Sequence, residues 1–189
     1  MRSIIVTEFI SLDGVVDSPG GGPHPSAGWT FTDVEFDEAA YEIKGREQDE
    51  AGAMLMGRVS YDEFAPVWKT MDEFERYNAM PKYVVSSTLA DSDLDPEWGQ
   101  TTILRSLGDV AALKEDDGGP ILVQGSATLA QGLAAAGLVD RYHLLEFPVV
   151  LGSGRRLFVT EGGEKQRLRL AEHATYGNGV QLAVYDVLR

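Results

Sequence analysis

Apolar residues along the chain fall into short runs with two different spacings, and the changes of spacing mark out a series of elements. SIIVTEFI (3–10) is an apolar, β-branched run broken by Thr7 and Glu8, and it predicts a strand. Residues 17–31, DSPGGGPHPSAGWTF, concentrate turn formers and predict a long irregular loop of the kind that often covers a site. Thr32 and Glu35 have capping-box spacing and predict a helix to about Glu50. Phe36, Ala40 and Ile43 would form its inner face, opposite a solvated acidic one. AMLMG (53–57) predicts a buried strand, followed by a helix that begins near Arg58 and stops before Pro66.

KYVVSSTL (82–89) and TTILR (101–105) predict two further strands, and Ser106 with Asp109 caps a helix to about Glu115. PILVQG (120–125) reads as a buried strand running into SATLAQGLAAAG, with Ser126 as N-cap and Gly137-Leu138 as a Schellman stop. RYHLLEFPVVLG (141–152), RLRLAEH (167–173) and GVQLAVYDV (179–187) close the chain as strands, the last two joined by a hairpin at Tyr176-Gly-Asn-Gly179. The order β-α-β-α-β-β-α-β-α-β-β-β predicts a single α/β domain, 1–189. Its central sheet is expected to be mostly parallel with antiparallel strands at the C-terminal end.

Charge narrows the partners. Sixteen basic against thirty acidic residues give a net charge of −14, which disfavours nucleic acid and anionic membrane surfaces. In so acidic a chain the position of each arginine is informative. The absence of cysteine excludes disulfides, thiol nucleophiles and thiolate metal sites. His24, His143 and His173 lie far apart in sequence, so no metal is expected. No run of about 18 apolar residues occurs, and the first residues lack a signal-peptide pattern, so a cytoplasmic protein is expected.

Neither G-x-G-x-x-G nor a G-x-x-x-x-G-K-[ST] phosphate loop nor a G-x-S-x-G elbow occurs. What stands out is three strand ends of one kind. Gly57-Arg58 and Gly125-Ser126 each place glycine and then a polar residue at a helix start, where backbone N–H groups attract anions. Ser86-Ser87 adds two hydroxyls after a third strand. The carboxyl ends of parallel strands share one edge, so together these suit a small ligand carrying several phosphates.

The ordered set M-G-R-x-S-Y, V-V-S-S and V-x-G-S, with SLDG near the start and PVVLGSGRRLF late, resembles the dihydrofolate reductase-like family. Within it the chain is similar to the riboflavin-biosynthesis reductase C-terminal domain branch. The resemblance spans nearly the whole chain. It implies that fold, with helices on both faces of the sheet, and a homodimer. It also implies NADPH as cofactor and hydride transfer to a pterin- or flavin-precursor-like heterocycle. Gly57, Arg58 and Ser60, the segment Ser86, Ser87 and Thr88, and Arg105 then fall on positions that contact the cofactor. Gly125, Ser126, Ala127, Thr128 and Leu129 fall on the pyrophosphate turn.

Asp13 falls on a substrate-side aspartate, and Gln124 stands where those reductases carry glutamate. These two are the expected catalytic residues. A neutral amide at Gln124 departs from the riboflavin-pathway pattern. In dihydrofolate reductases a first-helix carboxylate meets the pterin, and spacing does not choose among Glu35, Asp37, Glu38 and Glu42. Trp29 and Phe31 fit either an aromatic lid wall or an anchor for the glycine-rich loop. Gly152–Arg156 fits either a pocket border or a plain turn. The alternative function is a nucleotide-binding protein that keeps the fold without the chemistry.

Overall fold

The computed structural model describes residues 1–159 and 161–189. Its elements are β1 (Ile4–Ser11), α1 (Trp29–Thr32), α2 (Glu38–Glu50), β2 (Ala53–Gly57), α3 (Arg58–Trp68), α4 (Glu75–Ala79) and β3 (Lys82–Val85). They continue with β4 (Thr101–Leu104), α5 (Leu107–Glu115), β5 (Ile121–Gln124), α6 (Ala127–Ala135), β6 (Arg141–Phe147), β7 (Arg167–Thr175) and β8 (Gln181–Leu188). Among the described residues the strands form one sheet in the order β4-β3-β2-β5-β1-β6-β8-β7. The first six of these run parallel, and only β8 opposes its neighbours.

The winding of the chain creates the site. From β1 it crosses to β2 and moves outward to β4, then returns to insert β5 between β2 and β1 before crossing over β1 to β6. The direction reverses at β5, and in such sheets ligands bind in the crevice outside the carboxyl ends at the reversal. Pairing of β5 with β1 ends at Gln124 opposite Thr7, whereas β1 stays paired with β6 through Ser11. Glu8 to Ser11 therefore run on beyond the end of β5.

Each sheet face buries its own cluster. Ile4, Val6 and Ile10 of β1 pack with α5 and α6 through Val110, Ala127 and Leu133. On the other face Ile5, Met54, Met56 and Tyr61 pack with Tyr77 and Trp98. A third cluster joins Trp29, Ile43, Phe147 and Leu182.

Several elements differ from the sequence expectation. The first long helix begins at Glu38, because the Asp37 carboxylate accepts the Ala39 N–H; Thr32 instead ends the short α1, so Thr32 and Glu35 form no capping box. Phe36 is 63% exposed, and the buried face of α2 is Ala40, Ile43 and Glu47. Trp29–Thr32 is helical, so the stretch 17–31 is not wholly irregular. α3 runs through Pro66 to Trp68, because Tyr61, Ala65 and Trp68 keep one face packed. The Asp62 carbonyl that proline leaves without a donor belongs to an exposed residue. β3 stops at Val85, where the Ser86 hydroxyl accepts the Thr88 and Leu89 N–H groups and turns the chain. β6 stops at Phe147 before Pro148, which has no N–H to give a ladder.

Other expectations hold. Ser106 and Asp109 form a reciprocal capping box. The Leu138 N–H reaches the Leu133 carbonyl and the Gly137 N–H the Ala134 carbonyl, the Schellman pattern at the end of α6. Tyr176–Gly179 turns β7 into β8.

The buried polar face of α2 is a surprise. Glu47 is only 2% exposed and accepts from the Thr7 hydroxyl at 2.6 Å, from Lys44 Nζ at 3.2 Å and lies 2.8 Å from His143 Nδ1. Burial alone would raise this carboxyl, but Lys44, the His143 and Thr7 hydrogen bonds and the His143 charge outweigh it and hold it below its ordinary range. Removing one member of such a buried set leaves the others unpaired. Glu47→Ala is expected to lower unfolding stability by about 3–5 kcal/mol in urea titration; a loss under about 1 kcal/mol would show the network to be no stronger than a surface pair.

Candidate active site at the carboxyl edge

Three strand ends meet at this edge, and a serine joins two of them. Gly125 and Ser126 both adopt left-handed backbone, with φ of 59° and 66°. A Cβ on Gly125 would come within 3.0 Å of Ser60 Oγ and 3.2 Å of Phe64 Cζ, so only glycine lets the turn lie so close to α3. Ser126 occupies the N-cap position of α6 but does not cap it. Its Oγ instead accepts the Gly57 N–H at 2.8 Å and donates to Ser60 Oγ at 2.7 Å. The expected N-cap is thus corrected: the hydroxyl ties the start of α6 to the start of α3.

The consequence is electrostatic. No side chain caps α3 or α6, so their first N–H groups are free to meet an anion. Arg58 adds a cation at the positive end of α3, a placement that costs about 0.3–1 kcal/mol unless negative charge is nearby. Here Asp62, with Oδ2 3.3 Å from Arg58 Nε, and Asp93, 4.0 Å from its terminal nitrogen, supply that charge from exposed positions. An arriving phosphate has only exposed pairs to displace.

The serine segment has two parts. Ser86 is buried and its hydroxyl is used by the turn. Ser87 and Thr88 are exposed, and their hydroxyls make no hydrogen bond among the described residues. Arg105 donates from one terminal nitrogen to the Ser86 and Leu89 carbonyls at 3.0 and 2.7 Å, which fixes the turn beside Arg58 and Asp93. Ala127, Thr128 and Leu129 form the first turn of α6, with Ala127 and Leu129 packed into the core. Ala127 and Leu129 offer a ligand only backbone, and Thr128 is exposed beside them.

Asp13 lies in a loop clamp. Its carboxylate accepts from the Ser11 hydroxyl at 2.7 Å and from the Leu151 and Gly152 N–H groups at 3.1 and 2.9 Å. Arg156 stands 3.7 Å away and also donates to the Asp13 carbonyl. The Ser11 hydroxyl, with the two backbone donors and against a burial penalty, lowers the carboxyl to about 2. Gly152–Arg156 is therefore a docked loop, joined further by the Val16 N–H to the Arg155 carbonyl and by His24 to Ser153. Trp29 is fully buried, its indole N–H on the Asp17 carbonyl, so it anchors the glycine-rich loop. Phe31 is 57% exposed and lies along Tyr41.

Gln124 ends β5 half-buried, with its amide nitrogen enclosed beside the buried Tyr77 hydroxyl. Burial and then the Glu47 charge push that phenol up, against its interaction with Gln124. Among the first-helix carboxylates, Glu35 precedes α2 and is exposed, Asp37 is half-buried and spent on the helix cap, and Glu38 and Glu42 are exposed on the helix. The buried carboxyls are Glu47 and Glu8, which the sequence reading passed over. The signal for Glu8 was the polar interruption of a strand otherwise built for the core.

Hollows of about 310 Å³ beside α4 at Asp49 and Arg76 and of about 210 Å³ between Arg46 and Glu172 lie elsewhere. Each lies at the surface beside one ion pair, and neither touches the strand ends.

Residues 2–182 match the family model of the RibD C-terminal domain. The uncharacterized protein YyaP of Bacillus subtilis (strain 168) is 27% identical over 191 residues, 97% of this chain and 94% of that protein. A pyrimidine reductase-like protein from Corynebacterium diphtheriae superposes with a TM-score of 0.68 at 14% identity, over 100% of this chain and 92% of that one. The diaminohydroxyphosphoribosylaminopyrimidine deaminase/5-amino-6-(5-phosphoribosylamino)uracil reductase of Thermotoga maritima gives 0.68 at 11% identity, over 99% of this chain and 57% of that one. These likenesses show the fold. Part of the longer Thermotoga chain has no counterpart here.

The Asp13 clamp predicts acid lability. A carboxyl lowered from 3.8 to about 2 stabilises the fold above pH 3.8, and that contribution is lost as pH falls toward 2. Protection from hydrogen exchange at Leu151 and Gly152, relative to the unstructured chain at the same pH, should fall across that window and in Asp13→Asn at neutral pH. Unchanged exchange in the variant would show that the loop is held by other contacts.

Proposed function

The chain belongs to the RibD C-terminal domain family, and from that premise we propose that it is an NADPH-dependent reductase of a small heterocyclic substrate. The observation that carries the reading is the Ser126 junction. It presents two uncapped helix starts side by side over a glycine that leaves no side chain in the way. That arrangement fits a pyrophosphate. Arg58, Ser87, Thr88 and Arg105 fit a further phosphate on the adenosine side, at one end of the same edge. The crevice over β5 is left for the nicotinamide and the substrate.

The dinucleotide supplies a hydride when bound. Within this reading Gln124 orients the substrate through its amide, and Asp13 holds the loops at 11–15 and 151–156 that close the substrate end. A homodimer belongs to the same proposal, supported by β7, which forms a sheet edge exposed along most of its length. Sedimentation that returns only monomer at micromolar concentration would reject that part.

NADPH should bind more tightly than NADH by roughly ten- to a hundredfold, the worth of one charge-assisted hydrogen bond of about 1.5–3 kcal/mol. Arg58→Ala should weaken NADPH more than NADH in calorimetry. Equal affinities for the two dinucleotides would reject the phosphate-side assignment. NADPH binding without oxidation across a panel of pterins, flavin precursors and quinones would favour a non-catalytic nucleotide-binding protein.

A further inference from the structure

Glu8 lies where β1 runs on past the end of β5, on the side of the strand that alternation shares with Val6 and Ile10. It is 3% exposed, and its Oε1 has no hydrogen-bond partner among the described residues. Its carboxyl stands close to the backbone N–H of Gly125, the glycine of the junction. Gln124, whose amide lies enclosed beside the Tyr77 hydroxyl, is the residue just before that glycine. A buried carboxyl oxygen without a partner costs about 1–3 kcal/mol and is not expected in a part of the core that serves packing alone.

We propose that Glu8 is the acid of this reduction, a carboxyl that faces the nicotinamide end of the crevice and holds the proton the substrate receives. The inference rests on the reductase reading above. Burial raises the group from 4.5 to about 8, against Lys44 and the Gly125 N–H, which lower it, and with Glu47, which raises it further. Glu8 is therefore a neutral acid at pH 7. Lys44 and Glu47 act on it by charge from α2, which packs on the Thr7 side of the strand, the latter paired with His143 of β6.

The chemistry balances. A carbon–nitrogen or carbon–oxygen double bond of the substrate gains a hydride at carbon from the reduced dinucleotide and a proton at the heteroatom from Glu8. The O–H bond of the carboxyl breaks as the N–H or O–H bond forms. Loss of hydride turns a neutral nicotinamide into a cation, and a cation nearby lowers the carboxyl pKa. The acid thus weakens its hold on the proton at the moment the substrate needs it. Solvent returns the proton once the oxidised dinucleotide leaves.

The test uses the intact protein and two ligands that differ in nicotinamide charge. Calorimetry with NADP⁺ and NADPH runs from about pH 6 to about pH 8 in buffers of different ionisation enthalpy. NADP⁺ should release close to one proton, and its affinity should rise by up to about tenfold per pH unit relative to NADPH. The comparison cancels any titration of the phosphates, which both ligands share. In Glu8→Gln, which keeps size and burial but has no acidic proton, the difference between the ligands should vanish while NADPH still binds.

Equal pH dependence of NADP⁺ and NADPH in the wild type overturns the proposal and leaves the reductase reading standing. A difference that survives in Glu8→Gln places the titrating group elsewhere and overturns it too. Failure of both dinucleotides to bind rejects the reductase reading and this inference with it. Should Glu8→Gln not fold, carbon-13 NMR of the Glu8 carboxyl in the wild type decides: with NADP⁺ its shift should move to the carboxylate position and with NADPH remain at the protonated one, and the same shift with both ligands overturns the proposal.

Discussion

The Ser126 hydroxyl turns away from its own helix and bridges the Gly57 N–H and Ser60 Oγ, and the rest of the candidate site depends on that bridge. A serine at this position would ordinarily satisfy the first turn of α6. By reaching across to α3 it does two things at once. It holds two helix starts together, and it leaves their N–H groups for something else. The left-handed backbone at Gly125 and Ser126 makes the reach possible, and the missing Cβ at Gly125 makes the approach to Phe64 possible. A cation at Arg58, offset at rest by the exposed Asp62 and Asp93, suits anion capture at the same helix start.

The same edge sorts its buried carboxyls by environment. Glu47 has Lys44, His143 and Thr7 and stays ionised. Glu8, on a neighbouring stretch of β1, has no comparable partner and keeps its proton. Two carboxyls pushed in opposite directions by their surroundings are a recurring sign of assigned acid and base roles. In this chain Glu47 organises α2 against the sheet, and Glu8 carries the transferable proton of the proposed reaction.

The strands and their order were legible because each buried strand is a short apolar run bounded by turn formers, as at AMLMG and PILVQG. The glycine turns after β2 and β5 were legible because in each a short apolar run meets glycine and then a polar residue. Helix starts were less so. Asp37 outcompeted Thr32 as a cap, and packing of Trp68 carried α3 through Pro66, both decisions made by tertiary contacts. Ser126 was read as a cap because a local pattern cannot show that its better partners lie 66 and 69 residues away. Glu8 and Glu47 looked like surface residues or interruptions, since what buries them is the insertion of β5 and the packing of α2.

Amide chemical-shift mapping with NADPH tests the central claim most directly, because it reports where the dinucleotide meets the backbone. The Ser126 junction predicts the largest changes at Gly57 to Ser60 and Gly125 to Leu129, with a second group at Ser86 to Leu89. Changes confined to the hollows at Asp49 and Arg76 or at Arg46 and Glu172, with the junction amides unmoved, would contradict it.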